Sequence, residues 1–298
     1  MRYDRSMSSR AAGMATGIVV ALALASGACT LFTDLGGLSE DAGPEPPDAT
    51  SPEAAADGSA RADDAGEGGA RIDAAGRSAY EQAVIADAPS AWFRFEETSG
   101  SAARDETGGS DGTYAPSGVE LGLAGAMAAS RAVRLDGSKG RVSLGPRLPF
   151  VGRAAMSVEL WLNPDVVDGQ VRRAFSRKPP VTAQGNEYTI QASDSQLLFQ
   201  RLTANGNSYA AGPPLVVGRW THVVATFGER TKLYMDGVEV GDGQAVGDLT
   251  DEPGSDMVVG DTAAELFFKW QGLIDEVAVY DKALTPERVL AHFQAARP

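Results

Sequence analysis

The sequence predicts an all-β domain, a sandwich or barrel, behind a long N-terminal segment that cannot share its core. Three observations carry this. From about Tyr80 onward, short runs rich in Val, Leu, Phe, Tyr and Trp recur at close spacing, bounded by Gly, Asp and Asn. Several of these runs alternate with period two, as half-buried strands do. Only one stretch, at the C terminus, has a helical pattern, and strands without interleaved helices mean a sandwich or barrel.

In Met156–Leu162 one face carries Met156, Val158, Leu160 and Leu162, and the other Ser157, Glu159 and Trp161. Trp220–Phe227 alternates in the same way. Lys232–Met235 and Val238–Val240 flank Asp236-Gly237, the strongest short hairpin signal because both turn residues must take positive φ. Asp136-Gly137 sits likewise, with a longer loop, between Val133–Leu135 and Arg141–Leu144. The predicted helix comes last. Thr285 can cap it, Pro286 suits its first position, Glu287 suits the positive end of its dipole, and Val289, Leu290 and Phe293 form a narrow apolar stripe. The β domain is expected over 78–298.

The N-terminal segment reads as an export signal over 1–28. Arg2, Arg5 and Arg10 precede an apolar run, Met14–Ala25, followed by Ser26-Gly27-Ala28. That run is too short to span a bilayer, which needs roughly 20 residues. Cys29, the only cysteine, cannot form an internal disulfide. Its setting resembles a lipobox, which implies lipid attachment at Cys29 and a membrane anchor, although Ser26 stands where an aliphatic residue is usual. The alternative is ordinary cleavage after Ala28. Either way the chain is expected to be exported. With the lipid it becomes an anchored lipoprotein of the cell envelope, at the outer membrane or cell surface. Residues 29–77 are expected to be a disordered tether: 34–77 is Ala, Gly, Asp, Glu, Pro and Ser, with eleven acidic and three arginine side chains, and cannot bury enough apolar surface to offset ordering entropy. The net charge of −14 argues against nucleic acid, whose phosphates it would repel.

The domain resembles the laminin-G-like members of the concanavalin A-like lectin/glucanase superfamily. The words that carry the resemblance run in order from Ala91-Trp92-Phe93-Arg94-Phe95-Glu96-Glu97 through Asp105–Tyr114, Ala132-Val133-Arg134-Leu135-Asp136-Gly137, Ser157–Pro164, Gly218–Thr226 and Leu233–Gly237 to Gly272–Tyr280. The resemblance implies a jelly-roll sandwich of two antiparallel sheets with a short C-terminal helix. It leaves function open, because the superfamily hosts lectins, adhesive modules and glycosidases.

The glycosidase reading lacks its residues. The Glu-x-Asp-x-x-Glu pattern of the laminarinase-like members is nowhere in the chain. Glu159 and Asp165 are not spaced to share a face, and Asp275 and Glu276, adjacent in a strand, are expected on opposite faces. No Gly-x-Ser-x-Gly elbow is present. His222 is expected to be packed and hydrogen-bonded in its strand, and His292 to lie on the surface of the last helix. No catalytic residue is assigned and the chain is expected not to be an enzyme.

Two places could serve a structural Ca2+, which takes six to eight oxygen ligands. One is the loop Asp105–Gly112, with Asp105 and Asp111; the other is Asp275, with Glu97 able to join them if the first and last strands are neighbours. The bland reading is that these acids make turns. For a carbohydrate, exposed aromatic rings would be the platform. Trp92, Trp161 and Trp220 lie in strands and are expected in the core, whereas Trp270, with Phe267 and Phe268 in a presumed loop, is expected to be exposed. Tyr209 and Asn207 form a second candidate contact. The expected function is therefore a non-catalytic recognition module binding carbohydrate or an envelope or extracellular protein. The alternative is an adhesive envelope protein without a small ligand, and a glycosidase is third.

Overall fold

The computed structural model describes residues 76–179, 187–261 and 268–297. The predicted signal, Cys29 and the tether up to residue 75 lie outside the described residues, as does Phe267. The elements run α1 (Ala79–Ala86), β1 (Ala91–Phe93), β2 (Ala102–Ala103), β3 (Gly112–Tyr114), β4 (Val119–Ala124), β5 (Arg131–Asp136), β6 (Val142–Gly145), β7 (Met156–Pro164) and β8 (Arg172–Lys178). They continue with β9 (Glu187–Ala192), β10 (Leu197–Thr203), β11 (Gly206–Gly212), β12 (Thr221–Phe227), β13 (Arg230–Met235), β14 (Val238–Gln244), β15 (Asp256–Val259), β16 (Gln271–Tyr280) and α2 (Pro286–Ala295).

The strands form two antiparallel sheets. The first runs β14-β13-β12-β7-β16-β5-β4, with β1 also on β16; the second runs β11-β10-β9-β8-β15-β6-β3-β2. The inner faces of both supply one core, with Val158, Leu160 and Leu162 from the first sheet meeting Phe175, Tyr188, Ile190 and Phe199 from the second. The predicted alternation of Met156–Leu162 holds, since Trp161 lies in a different apolar cluster.

That second cluster covers the outer face of the first sheet. α1 contributes Tyr80 and Val84, α2 contributes Val289, and the sheet contributes Trp92, Trp161, Val224, Tyr234, Ala278 and Tyr280. α2 starts as expected: Thr285 Oγ1 accepts from Arg288 N–H and Pro286 opens the helix. Of its stripe, Val289 is buried and Phe293 packs, but Leu290 stays 40% exposed. α1 is an element the strand count did not anticipate. Its signal was local: Ser78 and Glu81 form a capping box, Ser78 Oγ accepting from Glu81 N–H and Glu81 Oε2 from Ser78 N–H at 2.7 Å.

The Asp236-Gly237 hairpin forms between β13 and β14, with φ 50° and 80° at its two turn residues. Asp136-Gly137 does not make a hairpin. β5 pairs with β16 and β4, while β6 pairs with β15 and β3, so the chain there crosses between sheets. Asp136 instead organises the crossing, its Oδ1 accepting from the N–H groups of Ser138, Lys139 and Gly140 at 2.7–2.8 Å.

Candidate functional site

β16 does not alternate throughout. One of its edges is shared by two partners, β5 along Gln271–Ile274 and β1 along Val277–Val279, and the register slips between Asp275 and Ala278. Glu276 takes φ 52° at this bulge. Ile274 and Val277 both enter the inter-sheet core, so the two residues between them face outward together. This corrects the expectation of opposite faces. Glu276 accepts from Trp92 Nε1 at 2.7 Å and Arg94 Nε at 3.1 Å; Asp275 Oδ2 accepts from Ala126 N–H at 2.9 Å and Ser130 Oγ at 3.2 Å. Burial, and then the charge of Asp275, push the Glu276 carboxyl well above its usual range. Burial pushes Asp275 up to about 7, and Glu96 beside it adds to the rise.

The acids named for calcium are not brought together. Asp105 Oδ1 accepts from Trp92 N–H, Thr107 N–H and Thr107 Oγ1, and its Oδ2 pairs with Arg147 at 2.8 Å. Asp111 Oδ1 accepts from Asp105 N–H. Glu97 accepts from Arg104 N–H and from Tyr114 O–H. These three organise the loop as turn residues do. The first and last strands are neighbours, but the carboxylate facing Asp275 is Glu96 rather than Glu97. Among the described residues no group of three or more His, Cys, Asp or Glu side chains is placed to hold a metal. Among the acids named for calcium, one feature fits a cation: Asp275 Oδ1 is buried without a hydrogen-bond partner, as is Asp261 Oδ1 elsewhere in the fold.

Both histidines converge on Glu159. Glu159 Oε1 accepts from Tyr80 O–H at 3.0 Å and lies 2.8 Å from His222 Nε2; Oε2 accepts from Tyr280 O–H at 2.6 Å and lies 2.9 Å from His292 Nδ1. The other nitrogen of His292 is 2.8 Å from Asp87 Oδ2, which also accepts from Arg288 Nε at 2.7 Å. His292 is therefore not a surface residue, and the reason is tertiary: α2 turns it onto the sheet between two carboxylates. Burial opposes its charge, yet Glu159 and Asp87 raise its pKa. Burial likewise opposes the charge of Glu159, but the two imidazoles hold it well below the usual carboxylate range. This is the grouping in the described residues that most resembles an acid–base centre, and its Glu and both His side chains have no exposed surface. It fastens α1 and α2 to the sheet.

The polar face that remains is the outer face of the second sheet. The strand registers align Tyr209 with Gln200, Gln200 with Thr189, Thr189 with Ser176, Ser176 with Val258, and Val258 with Ser143. All belong to one face, because their chain neighbours Ala210, Phe199, Ile190, Phe175 and Val259 point into the core. In the adjacent row Gln191 pairs with Arg173, whose Nε donates to Gln191 Oε1 at 3.4 Å and whose guanidinium lies 4.8 Å from the Phe268 ring centroid. On the other side Gln200 Nε2 donates to Glu187 Oε1 at 3.3 Å, and Lys178 Nζ is 3.5 Å from Glu187 Oε2. Thr189 is fully buried and its Oγ1 has no hydrogen-bond partner. Tyr209 is 46% exposed at the end of its row, with Asn207 exposed two residues away on the same side of β11.

Three of the four residues named for ligand contact, Phe268, Tyr209 and Asn207, thus lie on this face. Trp270 does not: it is 1% exposed and part of the inter-sheet core. Its backbone N–H donates to Gly260 O, which holds the residue between the sheets. Sequence reasoning missed Gln200, Thr189, Ser176, Arg173 and Glu187. The legible signal was the alternation Glu187-Tyr188-Thr189-Ile190-Gln191, in which every second residue is polar.

Two face-to-face antiparallel sheets of this topology define a β-sandwich of the jelly-roll kind, with two short helices outside it. The family described as the concanavalin A-like lectin/glucanases superfamily, in its laminin G form, matches residues 136–290, more than half of the chain, and the chain belongs to it. No curated protein matches the chain. Among solved structures it is similar to domain 4 of AbnA, an extracellular arabinanase from Geobacillus stearothermophilus in complex with arabinotriose, at 21% identity and TM-score 0.54, over 70% of this chain and 98% of that one. It is similar to a structure described for cell entry of botulinum neurotoxin type C through interaction with two ganglioside molecules, at 13% identity and TM-score 0.57, over 73% of this chain and 53% of that one. A third is the binding domain of Paraclostridial Mosquitocidal Protein 1, at 14% identity and TM-score 0.54, over 68% of this chain and 51% of that one. The chain spans about half the length of those two toxin structures, and at these identities the likeness is one of fold.

Proposed function

We propose that this chain is a non-catalytic recognition module of an exported, lipid-anchored envelope protein, and that it binds carbohydrate on the outer face of the second sheet. The observation that carries this is the cross-strand row Tyr209–Gln200–Thr189, with the orphaned Thr189 hydroxyl in its floor, while Ser176 at the end of the row donates to Asp261 O. Hydroxyl, amide, guanidinium and carboxylate groups in adjacent rows offer the mixed donors and acceptors that neighbouring sugar hydroxyls need. Tyr209 and Phe268 offer rings for the apolar face of a sugar. The solved structure in complex with arabinotriose, and the one described for a toxin whose cell entry depends on interaction with two ganglioside molecules, support the same ligand class. Calcium is part of the proposal, with Asp275 and its unpartnered oxygen as the carboxylate that would hold it and Glu96 facing it.

The test is a glycan array probed with the full chain, with calcium and with a chelator. Dose-dependent binding to one glycan class is expected, reduced at least roughly tenfold by Tyr209→Ala or Gln200→Ala, as the loss of a stacking ring or a ligand hydrogen bond predicts. Loss of binding with the chelator would assign calcium to the site's support. Absence of binding under both conditions would overturn the carbohydrate reading in favour of a protein partner.

A further inference from the structure

The polar row begins on β11, an edge strand of the second sheet, and beside it runs β14, an edge strand of the first. These two edges are not paired as a ladder. Even so, β14 and the chain just beyond it lie antiparallel along β11, with Tyr209 against Gly243, Ser208 against Val246 and Asn205 against Asp248. The sandwich is thus closed along this side by a seam between its two sheets.

Side chains stand in for the missing ladder. Ser208 Oγ donates to Val246 O and accepts from Val246 N–H, both at 2.8 Å, as the backbone of a paired strand would. Asn205 holds Asp248 in the same reciprocal way, its Nδ2 donating to Oδ2 at 2.7 Å and its Oδ1 accepting from N–H at 2.8 Å. From β10 the buried Arg201 also donates to Val246 O, at 3.3 Å. Gly241 and Gly243 let the two backbones meet. Neither takes a positive φ, so conformation does not call for glycine there. Space does: a Cβ on Gly241 would stand 2.5 Å from Ala211 O, and one on Gly243 would overlap Tyr209 O. Backbone atoms cannot swing aside as a side-chain tip can, so β11 itself would have to move. The Tyr209 ring is 46% exposed and is therefore placed by the backbone that carries it rather than by packing. Ser208, fastened on the inner face, turns its neighbour Tyr209 outward.

We propose that Gly243 is a positioning residue for the recognition face: by letting β14 reach the Tyr209 carbonyl, it fixes the tyrosine ring at the end of the Tyr209–Gln200–Thr189 row, where a sugar would stack. The proposal rests on the glycan reading of that face. Gly243 touches no ligand and acts only through Tyr209. A binding constellation has to be held to within about 0.5 Å, and an exposed ring on an edge strand is the part of this one with the least support of its own.

The test is a double-mutant cycle on the full chain, read on the same glycan array and by nuclear magnetic resonance of the free protein. Gly243→Ala is expected to weaken binding roughly tenfold, as Tyr209→Ala does. In the Tyr209→Ala background it should change binding by less than about twofold, because two changes that act through one residue do not add. In the free protein the Tyr209 amide and ring signals should move while those of Gln191, two strands away, stay. Ser208→Ala loosens the seam without inserting an atom; it should act in the same direction with a smaller loss, and it carries the same cycle if Gly243→Ala does not fold. Binding by Gly243→Ala equal to that of the unaltered chain, equal losses in both backgrounds, or unmoved Tyr209 signals would overturn the proposal. An unaltered chain that binds no glycan would overturn the recognition reading instead, and the Tyr209 signals would still decide whether the seam places the ring.

Discussion

Glu159 is the residue on which the outer half of the molecule turns. One carboxylate takes hydrogen bonds from α1, β12, β16 and α2 in a site without solvent. A buried charge is tolerated only when partners surround it, and removing it leaves those partners unpaired. Glu159→Gln keeps the size but replaces one acceptor oxygen with an NH2 that faces donors. It is expected to cost about 3 kcal/mol or more of stability, in the range for breaking a buried ion pair. Urea unfolding should show a lower midpoint at unchanged slope; a midpoint equal to that of the unaltered chain would mean that the hub is dispensable.

At the scale of elements, the same cluster makes the packing of α1 and α2 depend on pH. His292 titrates above its usual 6.5, so its stabilising contribution is complete below about that pH and is lost as pH rises through the raised value. Glu159 lies below its usual 4.5, so its contribution is complete above that pH and is lost only in stronger acid. Asp275 is raised from 3.8 to about 7, so the stability it adds at low pH declines as pH rises from about 4 to 7. Melting temperature is therefore expected to fall as pH rises from about 5 through neutrality, Asp275, Glu276 and His292 all contributing. His292→Gln should make the fall shallower above pH 6.5 and leave the part below it. A His292→Gln profile parallel to that of the unaltered chain above pH 6.5 would contradict the clamp.

At the scale of the whole molecule, the first sheet separates two apolar clusters, one between the sheets and one under the helices. Trp270 belongs to the former and Tyr209 to the surface, although both were read as ligand contacts. Trp270→Ala is expected to cost about 3–5 kcal/mol, as truncation of a buried tryptophan does, whereas Tyr209→Ala should change stability by no more than about 0.5 kcal/mol. Thermal unfolding of the two variants side by side distinguishes them; equal losses would mean that the exposed face is structural.

The parts that could be read from the sequence are those decided by a few consecutive residues. Asp236-Gly237 makes its turn because both residues reach positive φ, and Thr285-Pro286 starts α2 because a hydroxyl and a preset φ suit a helix end. The period-two run Met156–Leu162 separates its faces because a strand alternates. Ser78 and Glu81 announced α1 in the same local way. The remainder depended on which strands became neighbours. Asp136-Gly137 carries the same dipeptide as the true hairpin, yet its flanking strands were drawn into different sheets. Asp275 and Glu276 share a face because β16 changes partner between them. Trp270 and His292 are buried because distant segments close over them, and the Tyr209–Ser176 row exists only once four strands are in register. Local backbone preferences are properties of the chain, whereas burial, bulges and cross-strand rows are set by contacts between residues far apart in it.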